Sequence, residues 1–351
     1  IDKDKKYREI TLKLYGRGMT ERRIAKGEEI KFETCQLLEE YDIITSIHQF
    51  RNGCFVAVSN NFAGAIASKN FLVYSVNQVE VNPLFLQYVV TSKNQIKKYQ
   101  SESQGGATPI YPRKDILEVQ IPLPPLEVQN EIVEKIEKQK QIIEGAERIE
   151  DGFTIQFPRF DNTSKLTEFS KIIGTGSTPS RTNENYFDGN INWVLTTEVN
   201  ETEIHGTTEK LTEKAVKECA LKIYPENTIL IAMYGQGQTR GRTALAKIPV
   251  AITQNCAGVV IDEEKADPYF VWYYLRSIYD EIRGQDYSGG GVPHLNLEIV
   301  KNISIPNPPL EIQRQIVEKL DKQMQALEGV RLLKSEAEKR IEEIVEGVWG
   351  K

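Results

Sequence analysis

Asn307-Pro308-Pro309-Leu310 has the shape of the Asn-Pro-Pro-aromatic box with which amino-group DNA methyltransferases grip the amine of a flipped base. Leucine stands where the stacking aromatic belongs, and Leu123-Pro124-Pro125-Leu126 lacks the asparagine too. A proline pair that opens a helix accounts for both segments better, because a first helical turn loses nothing by lacking an N–H. Gly235-Gln236-Gly237-Gln238-Thr239-Arg240-Gly241 follows a strand-like run, but Thr243–Ile248 after it is strand-like again. A dinucleotide loop needs a helix N-terminus facing the pyrophosphate, so this glycine loop points elsewhere. His48, His205 and His294 have no companions at metal or triad spacing, and Cys35, Cys54, Cys219 and Cys256 form no CxxC pair. The sequence offers no catalytic constellation. It offers side chains that bind.

Tyr234, Gln236, Gln238, Thr239, Arg240 and Arg242 share the glycine-rich loop. Such residues hydrogen-bond base edges and phosphates, and glycines let a backbone come close to a groove. An equivalent loop runs from His48 to Gly53 and again holds glutamine, arginine and asparagine, at Gln49, Arg51 and Asn52. Arg17, Arg22, Arg23 and Lys26 form a basic cluster around Gly16 and Gly18, and Thr178, Ser180, Arg181 and Asn183 form a further polar loop. The expected DNA contacts are Arg17, Arg22, Arg23, Lys26, Gln49, Arg51, Asn52, Thr178, Arg181, Tyr234, Gln236, Gln238, Arg240 and Arg242.

Overall charge hides this pattern. Forty-four basic and 50 acidic residues among 351 give a net −6. The acid is concentrated in residues 126–151, with eight acids against four bases, while residues 3–26 hold nine bases against three acids. Positive charge is therefore local, as phosphate binding requires. The length favours two domains. Forty per cent hydrophobic content without a run of roughly 18–20 apolar residues argues against a membrane span, and IDKDKKYREI is no signal peptide. Four scattered cysteines exclude a disulfide scaffold and a zinc ribbon, and fit a reducing cytoplasm.

These residues are arranged by an internal repeat. Ile121–Ile136 (IPLPPLEVQNEIVEKI) and Ile305–Leu320 (IPNPPLEIQRQIVEKL) are identical at eleven of sixteen positions, at an offset of 184. Gly105, Gly106 and Pro109 pair with Gly289, Gly290 and Pro293 at the same offset. Pro83, Phe85 and Tyr88 pair with Pro268, Phe270 and Tyr273 one residue further on, at 185. Solenoid units span only about 20–50 residues, so two copies of a whole domain are implied. Each copy reads as short strands (Ile43–Ile47, Gly53–Val58, Phe71–Val76; Thr228–Tyr234, Thr243–Ile248) and an aromatic helix (Pro83–Ser92; Pro268–Ile282). A strand-like run (Ile116–Ile121; Val300–Ile305) then meets the prolines, and a long amphipathic helix begins. The second long helix carries Ile316, Leu320, Leu327, Val330, Leu333, Ala337, Ile341, Ile344 and Val348 at steps of three and four. The first carries Ile132, Ile136, Ile143, Ala146 and Ile149 and stops at Asp151-Gly152. Two such stripes most simply pack on each other as a coiled coil.

With these features the chain resembles the specificity subunit of type I restriction–modification systems. The resemblance is carried by the paired Pro-Pro-Leu-Glu-x-Gln segments, the glycine–proline turns, and the opening Gly174-Thr-Gly-Ser-Thr-Pro-Ser180 with Tyr186, Phe187 and Trp193. It implies an α+β protein with two repeated α/β target-recognition domains separated by long helices forming an antiparallel coiled coil. The domains are expected at 1–122 and 152–306, and the helices at 123–151 and 307–351. The second copy begins near Leu166, so the first, at 1–122, should lack its opening segment. The resemblance further implies a subunit without chemistry or cofactor of its own, in which each domain reads half of a split double-stranded target. Two modification subunits holding S-adenosylmethionine would dock on the helices, and a restriction subunit using ATP and magnesium would join through them. Two other readings remain open: the specificity half of a fused methyltransferase–endonuclease, and a coiled-coil scaffold that binds no DNA.

Overall fold

The computed structural model describes residues 1–350 apart from Glu33, 104–109, Gln236 and 286–293. The glycine–proline turns at Gly105–Pro109 and Gly289–Pro293, and Gln236, lie outside the described residues. The chain forms two units. One comprises Ile1–Asp151 with Gly329–Lys351, the other Gly152–Glu328.

In the first unit, β1 (Lys6–Leu12) and β2 (Met19–Lys26) form a hairpin, followed by β3 (Cys35–Leu37), β4 (Ile43–Thr45), β5 (Phe55–Ala57), β6 (Ile66–Ser68) and β7 (Leu72–Tyr74). They make two sheets, ordered β2-β1-β6-β3 and β5-β4-β7. Alternation sends neighbouring residues to opposite faces: Ile43, Phe55 and Ala57 join one cluster, Ile44 and Val56 another. Helices α1 (Pro83–Val90), α2 (Lys93–Glu102) and α3 (Arg113–Leu117) lead to the long α4 (Leu126–Gly152).

The second unit adds β8 (Thr163–Lys165), β9 (Ser170–Thr175), β10 (Phe187–Val194), β11 (Glu203–Ile204), β12 (Glu209–Leu211), α5 (Glu213–Glu218), β13 (Thr228–Ala232), β14 (Thr243–Ala246), β15 (Ala251–Ile252) and β16 (Cys256–Ile261). Then come α6 (Pro268–Ser277), α7 (Tyr279–Gly284), α8 (Leu297–Lys301), β17 (Ser304–Pro306) and α9 (Leu310–Trp349), whose residues from Gly329 onward belong to the first unit. The central sheet runs β11-β14-β13-β16-β9. Ile229 and Ile231 of β13 pack with Phe270, Val271 and Leu275 of α6, while Leu230 and Ala232 pack on the other face with Tyr224, Val250 and Ile252.

The repeat survives as topology. The parallel pair Glu9↔Ile66 in β1 and β6 recurs as Trp193↔Ala251 in β10 and β15, at offsets of 184 and 185. The antiparallel trio β5-β4-β7 recurs as β14-β13-β16. The second unit goes further: β9 pairs with the outer edge of β16, and β8 pairs with β17. Among the described residues of the first unit, no strand pairs with the outer edge of β7.

Two expectations are corrected. The runs at Ile116–Ile121 and Val300–Ile305 are not strands throughout. They begin inside the short helices α3 and α8, and only Ser304–Pro306 forms a strand, because β8 is there to pair with it. Nor do Ile149 and Leu333 lie in the seam of the long helices, since they are 53% and 57% exposed. Each follows two consecutive steps of three, which rotate a side chain about 120° off the stripe at 3.6 residues per turn. The stripe of the second long helix is divided: Ile316 and Leu320 pack into the core of the second unit, and only its later part, with Ile341, Ile344 and Val348, packs with the first long helix within the first unit. Val133 and Ile136 of α4 join Val345 and Val348 of α9, while Glu150 pairs with Arg331 at 3.1 Å and Lys334 at 3.2 Å. Early α4 thus meets late α9, and the pair is antiparallel.

Candidate nucleic-acid interface

In both units several of the predicted side chains come from loops at strand ends. In the first, the β4–β5 loop (46–54) receives the β1–β2 turn through Tyr15 N–H to the Asn52 carbonyl and Gly16 N–H to the Gly53 carbonyl, each 2.8 Å. Gly53 makes this possible. Its φ is +70°, and a Cβ there would sit 2.7 Å from Ile96 Cδ1 and 3.0 Å from Tyr15 Cα. Gln87, buried on α1, locks the same turn: its amide donates to the Gly16 carbonyl at 2.9 Å and its oxygen accepts from Ala57 N–H at 2.7 Å.

This docking brings the turn that carries Arg17 against the loop that carries Gln49 and Asn52. Arg17 is exposed, and among the described residues nothing hydrogen-bonds its guanidinium. Gln49 accepts from the Asn52 amide at 2.8 Å, and Asn52 accepts from Gln100 at 3.2 Å. Arg51 is half-buried, with its Nε enclosed and unpartnered among the described residues. The remaining basic residues are not gathered here. Arg22, Arg23 and Lys26 follow β2 away from the turn; Arg23 is paired with Glu9, and Lys26 lies 3.7 Å from Glu28.

In the second unit β13 and β14 run antiparallel, as do β16 and β9, so loops 233–242, 253–255 and 176–180 share one sheet end. Tyr234 is 39% exposed and stacks on His294, with centroids 4.8 Å apart and planes 8° apart. The arginines of this loop are braced inward. Arg240 donates to the Arg283 carbonyl at 2.9 Å, and Arg242 holds both Asn200 and Gln238, the latter at 2.9 Å. Tyr279 Oη donates to the Gln238 carbonyl at 2.6 Å and accepts from Arg283 at 2.8 Å, tying the loop to α7. Gly241, at φ +86°, brings its backbone against Arg283, where a Cβ would lie 3.3 Å from the Arg283 nitrogen.

Thr178 is exposed. Arg181 is not a free cation: it makes a bidentate pair with Glu209 at 2.6 and 2.9 Å, which pushes its pKa up, and lies over Phe187 and Trp193 at 5.1 and 5.3 Å. Arg17, Gln49, Thr178, Tyr234 and Gln238 are therefore exposed, whereas Arg181, Arg240 and Arg242 are engaged by neighbouring protein groups. Among the described residues no cluster of three or more His, Cys, Asp or Glu side chains could hold a metal ion, and no helix is long and apolar enough to cross a membrane.

Gln87 and the glutamine of each proline repeat are positioning residues with no place among the expected DNA contacts. Gln129 and Gln313 are fully buried at the start of the long helices, where their amides donate to Pro124 and Pro308 carbonyls at 2.8 and 2.9 Å. Their identity at an offset of 184 is the signal the sequence carries.

Comparison with known proteins gives a consistent result. A family model for the type I restriction modification DNA specificity domain matches residues 1–151 and 161–337. The type I restriction enzyme MjaIX specificity subunit of Methanocaldococcus jannaschii is 29% identical over 191 residues, covering 50% of this chain and 43% of that one. The EcoR124I/EcoR124II specificity subunit of Escherichia coli is 28% identical over 159 residues, covering 45% and 39%. The chain thus spans less than half the length of either relative. Among solved structures, one from work on assembly and conformational transition of the type I R-M system has a TM-score of 0.59 at 20% identity, covering 93% of this chain and 86% of that one. The S subunit from M. genitalium gives 0.53 at 13% identity, covering 97% and 96%. At these identities the likeness concerns the fold.

Proposed function

The chain belongs to the type I restriction modification DNA specificity domain family, and from that premise we propose that it is the sequence-reading part of a type I restriction–modification complex. Each unit reads one half of a split double-stranded target. The outward loop residues carry the reading: Gln49, Gln238 and Arg17 offer amide and guanidinium groups to base edges and phosphates, and Tyr234 offers a flat ring. The braced arginines hold those loops in one shape before DNA arrives, which lowers the ordering cost of binding.

The chain performs no chemistry and holds no cofactor. Two modification subunits dock on the long helices and hold S-adenosylmethionine, and a restriction subunit with ATP and magnesium joins through the complex. All of this takes place in the cytoplasm, where the DNA is. The observation that supports the reading best is the duplication itself, since corresponding polar loops stand at corresponding sheet ends of two units whose pairing repeats 184–185 residues apart. A fused methyltransferase–endonuclease half would use the same loops, and a scaffold would not need them.

Sequencing the methylated sites in DNA of a host that carries this gene with its modification gene is the test. A target in two defined parts around an undefined spacer is expected, together with salt-sensitive duplex binding. A contiguous target, or no binding, contradicts the reading. Methyl transfer by the pure chain would favour the fused enzyme.

A further inference from the structure

Besides an apolar contact, each unit holds its domain to its own helix at two matching polar points, and the two units do so with the same chemistry. The first point is the buried glutamine. Gln129 accepts from the Asn82 N–H, and Gln313 from the Asp267 N–H, both at 2.9 Å. Asn82 and Asp267 cap α1 and α6, each accepting from two backbone N–H groups. The second point lies eight residues further along the long helix. There the Tyr88 hydroxyl donates to the Glu137 carboxylate, and the Tyr273 hydroxyl donates to Asp321 at 2.6 Å. Both tyrosines are buried, and a cation lies by each ring: Lys140 Nζ 4.5 Å from the Tyr88 centroid, the Arg276 guanidinium 5.7 Å from that of Tyr273.

A helix fixed at one point can pivot. Two points eight residues apart are separated by about 12 Å along the axis and define a direction. Between the copies Glu137 becomes Asp321 and Asn82 becomes Asp267, so side chains have changed while donors, acceptors and spacing remain. A contact serving only cohesion would be met as well by any apolar pair. The retained polar geometry specifies an angle.

We propose that Tyr273–Asp321 with Gln313, and Tyr88–Glu137 with Gln129, are positioning joints that set the angle at which each recognition domain leaves its helix, and so the spacer length accepted in a split target. None of these residues needs to touch DNA. The proposal rests on the DNA-reading function proposed above.

The test uses the full chain in complex with its modification subunit. Duplexes carry both halves of the parent target with spacers from two base pairs shorter to two longer, and methylation rates are compared. One base pair moves a half-site by about 3.4 Å and turns it by about 34°, so the parent should prefer its own spacer over either neighbour by about tenfold. In Tyr273→Phe, which keeps the ring's packing, and in Asp321→Asn, that preference should fall to about threefold or less. Discrimination against single-base changes within each half should remain. Asp321→Glu, which installs the first unit's carboxylate, should keep the parent preference.

Spacer preference that is unchanged in both variants overturns the proposal and leaves the DNA-reading function standing. Loss of base discrimination within a half also overturns it, by making these residues part of the reading surface. A parent without a split target removes both. Melting curves identify a variant that has merely unfolded, and the other member of the pair then decides.

Discussion

The two units share a plan and differ in how completely it is covered. Ile305 of the second unit is fully buried, because β8 pairs across β17 and Leu166 and Phe169 pack behind it. Its counterpart Ile121 is only half-buried. Both occupy the same place before Pro-Pro-Leu-Glu, so burial here is decided by what lies across the sheet rather than by local sequence. The candidate loops differ as well. Loop 233–242 is tied by Arg240, Arg242 and Tyr279 to neighbouring elements, whereas loop 46–54 of the first unit is anchored by buried Phe50 against Tyr99 and Tyr111 and by backbone hydrogen bonds to the turn that carries Arg17. The two candidate loops are thus braced by different contacts.

The largest effect should come from removing the cover. Leu166→Ala empties a fully buried site and should cost about 2–5 kcal/mol. In denaturant unfolding followed by hydrogen exchange, β9, β16 and β17 should lose protection while β4 and β7 keep theirs. Equal loss in both units would show that their stabilities are not separate. Next comes Gly53→Ala, which places a Cβ in a left-handed backbone position against Ile96 and Tyr15. A cost of about 1–3 kcal/mol is expected. Binding to targets varied in one half at a time should weaken for the half read by the first unit and hold for the other.

Much of this difference was legible in advance, and part was not. The repeat, the short strands, the aromatic helices and the two long helices follow from periodicity and from proline and glycine placement. Candidate loops followed from Gln, Arg and Asn beside glycine. Sequence could not say which arginines face outward, because Arg181 and Arg240 are claimed by Glu209 and the Arg283 carbonyl from distant segments. Nor could it rank Gln87, whose value lies in bridging two backbone groups 30 and 71 residues away. Ile149 and Leu333 failed for a simpler reason, since consecutive three-residue steps walk off a helical stripe.

A smaller contrast separates outward from inward arginines. Arg17→Ala should weaken duplex binding by about 1–2 kcal/mol at low salt, and by less as salt rises. Arg240→Ala should instead loosen loop 233–242, so that its effect on the second half-target persists at high salt. Equal salt dependence of the two variants would erase the distinction drawn here.

The smallest effect concerns the helix pair. Lys334 and Arg331 hold the Glu150 carboxyl below its usual pKa. A depressed folded-state pKa adds stability above the unfolded value, near pH 4.3, and loses it as pH falls through the folded value. Glu150→Gln should therefore cost no more than about 0.5 kcal/mol at pH 7. Parent and variant melting temperatures should converge below about pH 4. A gap that widens on acidification would contradict the assignment.

The central claim is that each unit reads its own half of one target. The most direct measurement compares methylated sites, by sequencing of host DNA, between the parent gene and a Gln238→Ala, Tyr234→Ala double variant. A two-part parent target is expected, in which only one part is relaxed or altered by the variant, the other part remaining base for base the same. Relaxation of both parts together, or a single undivided target in the parent, would contradict it.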